Sequence, residues 1–445
     1  MMFFLGLLFS LHPQAYNILD YGAVPDTTRL STAAINNAIA DCSKHGGGRV
    51  LIPAGHYKSG TIVFNDNVEL YLDNGATLYA STDTADCPRR PQPATRSQKD
   101  QAGWYALLYA EGVQHIGIAG PGTIDGQGAK QIPRHTIPNS DLDGRLRNIL
   151  FIACKDVLIE GVTLLNSGIW NQHYLDCEDL QIHRIRVYNH CNRNNDGLDL
   201  DGCRRVTVSD CIIDSDDDGI VLKSTGPAGC KDILITNCIV SSFTNAIKCG
   251  TESTGGFRNI AISNCVVQRS RSTIPPVFGR TDIGITGLSL EIVDGGTMEG
   301  ISVTNLVIEE TECPIYVRLG NRARKYSPGA PAPRMGIMRN IDISHITASH
   351  TGNYGSSITG VPGGYIENIS LSHIRLTNKG APGEYIPDAG KVIEDEKGYP
   401  EPTVWKELPS KGLFIRHVRG LDLDHISISS ENPDPRPDIL KVDVQ

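Results

Sequence analysis

The chain has 445 residues, 40% of them hydrophobic and 20% charged, with 46 glycines and a formal net charge of −9. Those proportions belong to a folded chain and exclude an intrinsically disordered one. The acidic balance argues against a general nucleic-acid binder, which would be basic, and it favours a polyanionic ligand only if a local basic patch outweighs it.

Residues 3–11 are mostly apolar and run into Pro13-Gln14-Ala15. This resembles a secretory signal, although it lacks an n-region Lys or Arg and Pro13 is a poor residue three before the cut. The expectation is a signal peptide over 1–15, one catalytic domain over 16–445, and a secreted or periplasmic protein. No other apolar stretch approaches the ~20 residues needed to span a bilayer, so no membrane span is expected. The segment N-I-L-D-Y-G-A-V-P-D at 17–26 leads into a helix expected over 31–43. Ser31 or Thr32 would cap it, Ile35, Ala38 and Ile39 form one apolar face, and Gly46, Gly47 and Gly48 stop it. A strand follows at 49–53. One helix ahead of many strands reads as a lid over the end of a β structure, whose first layer would otherwise expose its core.

A repeat then sets in: apolar-x-apolar-x-x-apolar-x-apolar. Val157/Ile159/Val162/Leu164, Leu180/Ile182/Ile185/Val187, Val206/Val208/Cys211/Ile213, Ile233/Ile235/Cys238/Val240 and Ile260/Ile262/Cys265/Val267 are its first five copies. They begin 23, 26, 27 and 27 residues apart. Four more begin at Ile301, Ile341, Ile369 and Leu421, at wider gaps that imply insertions. Period-2 alternation excludes helical repeats, and propeller blades need about 40 residues. A unit of about 25 residues predicts an all-β, right-handed parallel β-helix, a pectate-lyase-like solenoid with an N-terminal capping helix. The twelve cysteines are an even number. Cys211, Cys238 and Cys265 nevertheless fill one repeat slot 27 residues apart, which predicts a stack of buried thiols rather than disulfides, and no C-x-x-C pair marks a zinc site.

Insertions interrupt the rhythm at 87–103, 127–144, 269–284, 322–339 and 378–412. Long loops of a solenoid usually grow toward its working face. Trp104, Trp170 and Trp405 lie in or beside loops and turns, where a ring can stack on a sugar or simply pack.

The densest chemistry lies at 194–223, where eight of thirty residues are Asp. Asp196 and Asp217 are 21 apart and so fall on neighbouring coils, with Asp218 beside them. Three carboxylates at one place either run acid–base chemistry or chelate a hard cation such as calcium. At these residues the chain resembles glycoside hydrolase family 28, the polygalacturonase and rhamnogalacturonase family, as a divergent member of bacterial type. The resemblance covers N-I-L-D-Y-G-A, the segment G-T-I-D-G-Q-G at 122–128, N-N-D ending at Asp196, and D-D at Asp217-Asp218. It implies an inverting hydrolase of pectic or related plant polysaccharide with Asp217 as general acid and Asp196 and Asp218 holding the attacking water. No cofactor and no metal follow, and the expected partner is a polysaccharide or oligosaccharide met by a monomer.

The match changes on the next coils. Asn245 stands where the family's G-H-G motif has His, and Ser289 and Glu291 stand where its R-I-K motif has cations that grip a galacturonate carboxylate. A Glu there repels a uronate, so a neutral or differently charged sugar is expected at that subsite. Further candidates for substrate binding are Lys223, Lys248, Glu252, Arg318, Arg322 and His173, with the two arginines able to replace the missing carboxylate clamp. Asp199, Asp201, Asp214 and Asp216 read as turn and coil-surface acids. Two other functions fit a β-helix with acids: a calcium-dependent lyase or epimerase, and a glycan-binding solenoid without chemistry. Three costly acids kept together argue against the latter.

Overall fold

A computed structural model describes residues 15–91, 105–131, 144–277, 283–380 and 388–445. Residues 1–14, which carry the expected signal, and Trp104 lie outside the described residues.

The strands stack in three parallel columns around one apolar core, making a right-handed parallel β-helix as the repeat predicted. One column runs Gly48–Ile52, Val68–Leu72, Gln114–Ala119, Lys155–Glu160, Glu178–His183, Arg204–Ser209 and onward, each strand paired in register with the next coil. A second contains Thr163–Leu165, Arg186–Asn189, Ile212–Ser215 and Ile239–Ser242. The third contains Arg147–Ile152, Gln172–Leu175, Leu198–Asp201, Ile220–Ser224, Asn245–Ser253, Gly284–Ile292 and Thr311–Leu319. The apolar template spans the first two columns, and except in the last copy its side chains line the core with almost no exposure.

The two consecutive variable residues inside each template copy have a structural cause. They form the corner between columns, and one of them adopts a left-handed backbone: Arg184 (φ 56°), Asp210 (58°), Asn237 (56°), Asn264 (55°) and Asn305 (56°). Asn and Asp enter that region more readily than most residues, which explains their recurrence there.

The helix Thr32–Lys44 buries Ala34, Ile35, Ala38, Ile39 and Cys42 over the first coil. Ser31 occupies the N-cap position but makes no side-chain cap bond. Thr32 instead accepts from the Gly60 backbone N–H through Oγ1 at 2.7 Å, tying the helix to the coil below. At the other extreme, the strand Leu413–Ser430 leaves Leu421, Leu423, Ile426 and Ile428 only half-buried against the core.

All twelve cysteines are free thiols and eleven are buried. Beside the expected ladder of Cys211, Cys238 and Cys265, the register builds a second one from Cys154, Cys177, Cys203 and Cys230. A thiol titration under non-reducing conditions should therefore find twelve reactive groups after unfolding and at most Cys191 in the native state. Fewer than twelve on unfolding would mean that disulfides form.

Candidate active site

The third column carries the acids. In Leu198–Asp201 the alternation sends Leu198 and Leu200 into the core and turns Asp199 outward. In the next rung Ile220 and Leu222 point in and Lys223 points out, and in the one after Ile247 and Cys249 point in and Lys248 points out. The register pairs Leu198 with Ile220 and Ile220 with Ile247. Asp196 therefore lies one rung from Asp218, and Asp218 one rung from Asn245. Asp217 sits one residue to the side, half-buried, while Asp196 and Asp218 are buried. Rung spacing and residue spacing together put the Asp196 and Asp217 Cα atoms about 6 Å apart.

Two lysines fill the space between the acids. Lys223 Nζ is 3.4 Å from Asp196 Oδ2, 3.4 Å from Asp199 Oδ1, 4.0 Å from Asp218 Oδ2 and 3.9 Å from Glu252 Oε2. Lys248 Nζ is 3.3 Å from Asp218 Oδ2 and 4.0 Å from Glu291 Oε1. Burial alone would lower both ammonium pKa values, but the surrounding carboxylates outweigh it and raise them. These ammonium groups occupy the interior of the cluster, where a chelated calcium ion needs open oxygen faces.

The acids are differentiated by their neighbours. Burial, then Asp218, pushes Asp217 up to about 6. Its Oδ1 accepts from Thr244 Oγ1 at 3.1 Å and its Oδ2 from Asn194 Nδ2 at 3.4 Å. Asp218 Oδ1 accepts from Asn245 Nδ2 at 2.6 Å and from Thr244 Oγ1 at 3.2 Å, while Thr286 Oγ1 donates to Asn245 Oδ1 at 2.7 Å. Asn245, at the motif's His position, is thus a neutral donor that orients Asp218. Asp196 is held well above the usual carboxylate range by burial and by Asp199 and Asp217, and its Oδ1 has no hydrogen-bond partner. Burial carries Asp199 to about 7 against the pull of Lys223.

The remaining candidates separate into three groups. Glu252 and Glu291 join the ionic cluster: Glu252 Oε1 is 3.4 Å from Arg324 Nη1, and Glu291 Oε1 accepts from Ser289 Oγ at 2.7 Å. Burial raises Glu291 to about 7, with Lys248 opposing. His173 is fully buried beneath the floor, with Nε2 3.2 Å from Asp201 Oδ2 and its ring edge-on to Trp170. Burial lowers it to about 4, so it is neutral at pH 7. Arg318 differs from the expected substrate clamp. Its guanidinium donates to the carbonyls of Gly360, Glu394 and Asp395 and to Thr359 Oγ1, anchoring the loop 388–405. Arg322 is half-buried, with its guanidinium 5.2 Å from the Tyr399 ring centroid.

The four acids read as coil-surface residues are corrected as well. Asp199, Asp201 and Asp216 are fully buried, Asp214 nearly so. Asp201 accepts from Thr225 N and Oγ1 at 2.9 and 2.6 Å, Asp214 from Ser270 Oγ at 2.6 Å, and Asp216 from Val277 N at 3.3 Å. Asp199 belongs to the site itself, and the alternation L-D-L-D carried that signal. Trp170 is packed between Arg147 and Lys223, whose charged ends lie 5.2 and 4.7 Å from its ring centroid, so it is floor rather than a free stacking surface. Arg324 and Tyr399 entered from insertions that have no repeat to index them. Arg324 pairs with Asp294 at 2.6 Å, and Tyr399 stands over Lys248 at 5.7 Å.

The fold and the site together define a parallel β-helix with paired carboxylates on adjacent outer rungs. Within that class the chain belongs to the glycosyl hydrolases family 28, whose family model matches residues 42–382. A probable polygalacturonase of Vitis vinifera is 30% identical over 228 residues, covering 48% of this chain and 45% of the relative. The chain spans about half the length of the curated relatives it matches. Among solved structures, an exopolygalacturonase of Thermotoga maritima has a TM-score of 0.70 at 21% identity, covering 94% of this chain and 93% of its own. A family 28 exopolygalacturonase of Yersinia enterocolitica has a TM-score of 0.73 at 18% identity, covering 97% and 77%. These two likenesses establish the fold.

Removing Lys223 leaves Asp196 and Asp199 buried without their cation. Lys223→Met should lose up to about 3–5 kcal/mol of stability at pH high enough to ionise both carboxyls, the usual result of breaking a buried pair on one side. Both carboxyls have folded-state pKa values above the unfolded range, so protonating them favours the folded state. The deficit should be small below about pH 7, where Asp199 is protonated, and grow as pH rises above it. Urea unfolding at several pH values measures it, and a pH-independent deficit would contradict this charge arrangement.

Proposed function

We propose that the protein is an exported, inverting glycoside hydrolase acting on pectic or related plant polysaccharide, with Asp217 as general acid and Asp196 and Asp218 as the pair that holds and activates water. The observation that carries this reading is the stacking of Asp196 on Asp218 with the half-exposed Asp217 beside them. Inversion needs an acid and a base separated by about 6.5–9.5 Å, which leaves room for one water. Residues on adjacent rungs supply a separation of that order, and the free Oδ1 of Asp196 is an acceptor for that water. Asp217, at about 6, keeps a proton to give at mildly acidic pH. The names of the curated relatives, polygalacturonase and exopolygalacturonase, support the pectic class.

The sugar next to the acids is proposed to be neutral. Among the described residues, the six carboxylates of Asp196, Asp199, Asp217, Asp218, Glu252 and Glu291 face Lys223, Lys248 and Arg324, which are already paired with carboxylates, and beyond them Arg147 and Arg322, so acids outnumber cations. A uronate carboxylate brought against Glu291 meets repulsion rather than a fork of donors. A rhamnogalacturonan or another decorated glycan presents a neutral ring at that place.

Asp217→Asn should cut kcat by about a thousandfold or more while leaving the unfolding curve intact, since general acid catalysis alone contributes up to about 10⁴. Because the acid must be protonated, the wild-type rate should fall as pH rises through about 6. Full activity in the variant, or a product of retained anomeric configuration by NMR, would end this assignment.

Glu291→Gln should lower the KM for galacturonate oligomers several-fold and leave that for neutral oligomers unchanged. An unchanged ratio of the two would place the subsite elsewhere.

A further inference from the structure

The corner column that runs through Asp210, Asn237, Asn264 and Asn305 continues as His345 (φ 53°), His373 (54°) and His425 (50°). The left-handed backbone explains why Asn, Asp or His is used there. It does not explain why the last three coils switch together from amides to imidazoles. In the earlier coils the amides bond along the column, as from Asn305 Nδ2 to Asn264 Oδ1 at 2.8 Å. In the last three, the rings stack face to face with centroids 4.7 Å apart at both steps and planes within 4° and 11° of parallel. Asp424 lies beside the outermost ring, with Oδ1 2.6 Å from His425 Nδ1.

One ligand atom each from His373, Asp424 and His425 lies within 4.8 Å of the other two, and all three side chains are exposed. We propose that these residues form a surface site for a divalent transition metal such as Zn²⁺ or Ni²⁺, which ties the strand Ile366–Asn378 to the strand Leu413–Ser430. Two imidazole nitrogens and one carboxylate oxygen suit zinc or nickel and not calcium or magnesium, which take oxygen donors. Nitrogens on a tetrahedral zinc stand about 3.3 Å apart at bond lengths of about 2.0–2.1 Å. Exposed rings 4.7 Å apart reach that separation by tilting their nitrogen edges together, and the carboxylate exchanges its hydrogen bond to His425 for the ion. The bridge acts where the structure is weakest in apolar support, because Leu421, Leu423, Ile426 and Ile428 of the outer strand are half-buried. It stands on a corner between the first two columns, away from the acids of the third, so its test is independent of the hydrolase reading.

The test is calorimetric titration of the chelator-treated full chain with ZnCl₂ and with NiCl₂ in a non-coordinating buffer. One equivalent should bind. His373→Asn and His425→Asn keep a residue that the same corner already uses, so the fold is retained. Each should weaken binding by at least the ~10-fold that disturbing even an outer-shell partner costs. Asp424→Asn should weaken binding as well, and His345→Asn should leave it within about twofold, since His345 contributes none of the three ligands. Hydrogen exchange in 413–430 should slow when the metal is added to the wild type and not when it is added to His425→Asn. No saturable binding at millimolar metal, or binding that survives both histidine replacements, would overturn the site.

Discussion

The register of one coil upon the next is the constraint on which the rest depends. Parallel rungs about 4.8 Å apart place a residue directly over its counterpart, so any choice made on one coil becomes a stack. The cysteine ladders, the left-handed corners and the carboxylates are three results of this rule. For apolar side chains a stack is favourable, because each rung covers the last. For carboxylates it brings like charges within one strand spacing, and a compensating cation must enter the same stack. Lys223 and Lys248 do so from the two rungs that follow Asp196 and Asp199.

That solution has an energetic character of its own. Two ammonium groups and several carboxylates are buried together, and their mutual attraction mainly offsets the cost of taking them out of water. The cluster therefore contributes little to stability and much to the placement of charge. With Lys223 central to Asp196, Asp199, Asp218 and Glu252, the acids cannot all titrate alike. Asp217, at the margin and half-buried, settles near 6, while Asp199, fully buried, settles near 7. Differences in depth and partner across a single strand face thus divide chemically identical side chains between roles.

Much of this was legible from spacing. The template located the core, and the 21- to 27-residue recurrence brought the acidic clusters to neighbouring coils. Spacing does not convey the face of each side chain. Asp199 reads as a surface acid by position, but Leu198 and Leu200 flank it, and that alternation turns it toward the same face as Lys223. Spacing brings Asp196 and Asp217 to neighbouring coils, and the register adds that Asp196 lies level with Asp218. Arg318 differs from its expected role for another reason. Its coil could be indexed, but the loop that consumes its donors could not, because insertions carry no period. Tyr399 and Arg324 were invisible on the same ground.

The loop also clarifies the changed motifs. Glu291, Arg318 and Thr359 occupy one column, and Arg416 follows them. Arg318 and Arg416 grip the carbonyls of Val392, Ile393, Glu394 and Asp395, and Trp405 Nε1 adds a bond to Ile393 O at 3.0 Å. Cations in this column are spent on holding a loop, and the loop in turn sets Tyr399 over Lys248. At the position where a carboxylate-binding cation is missing, Ser289, the register partner one rung back is Lys248. That lysine lies within the acid cluster, 3.3 Å from Asp218 Oδ2 and 4.0 Å from Glu291 Oε1. On the proposed reading, a site built this way keeps its acid–base pair while offering a uronate a Glu where the family motif has a cation.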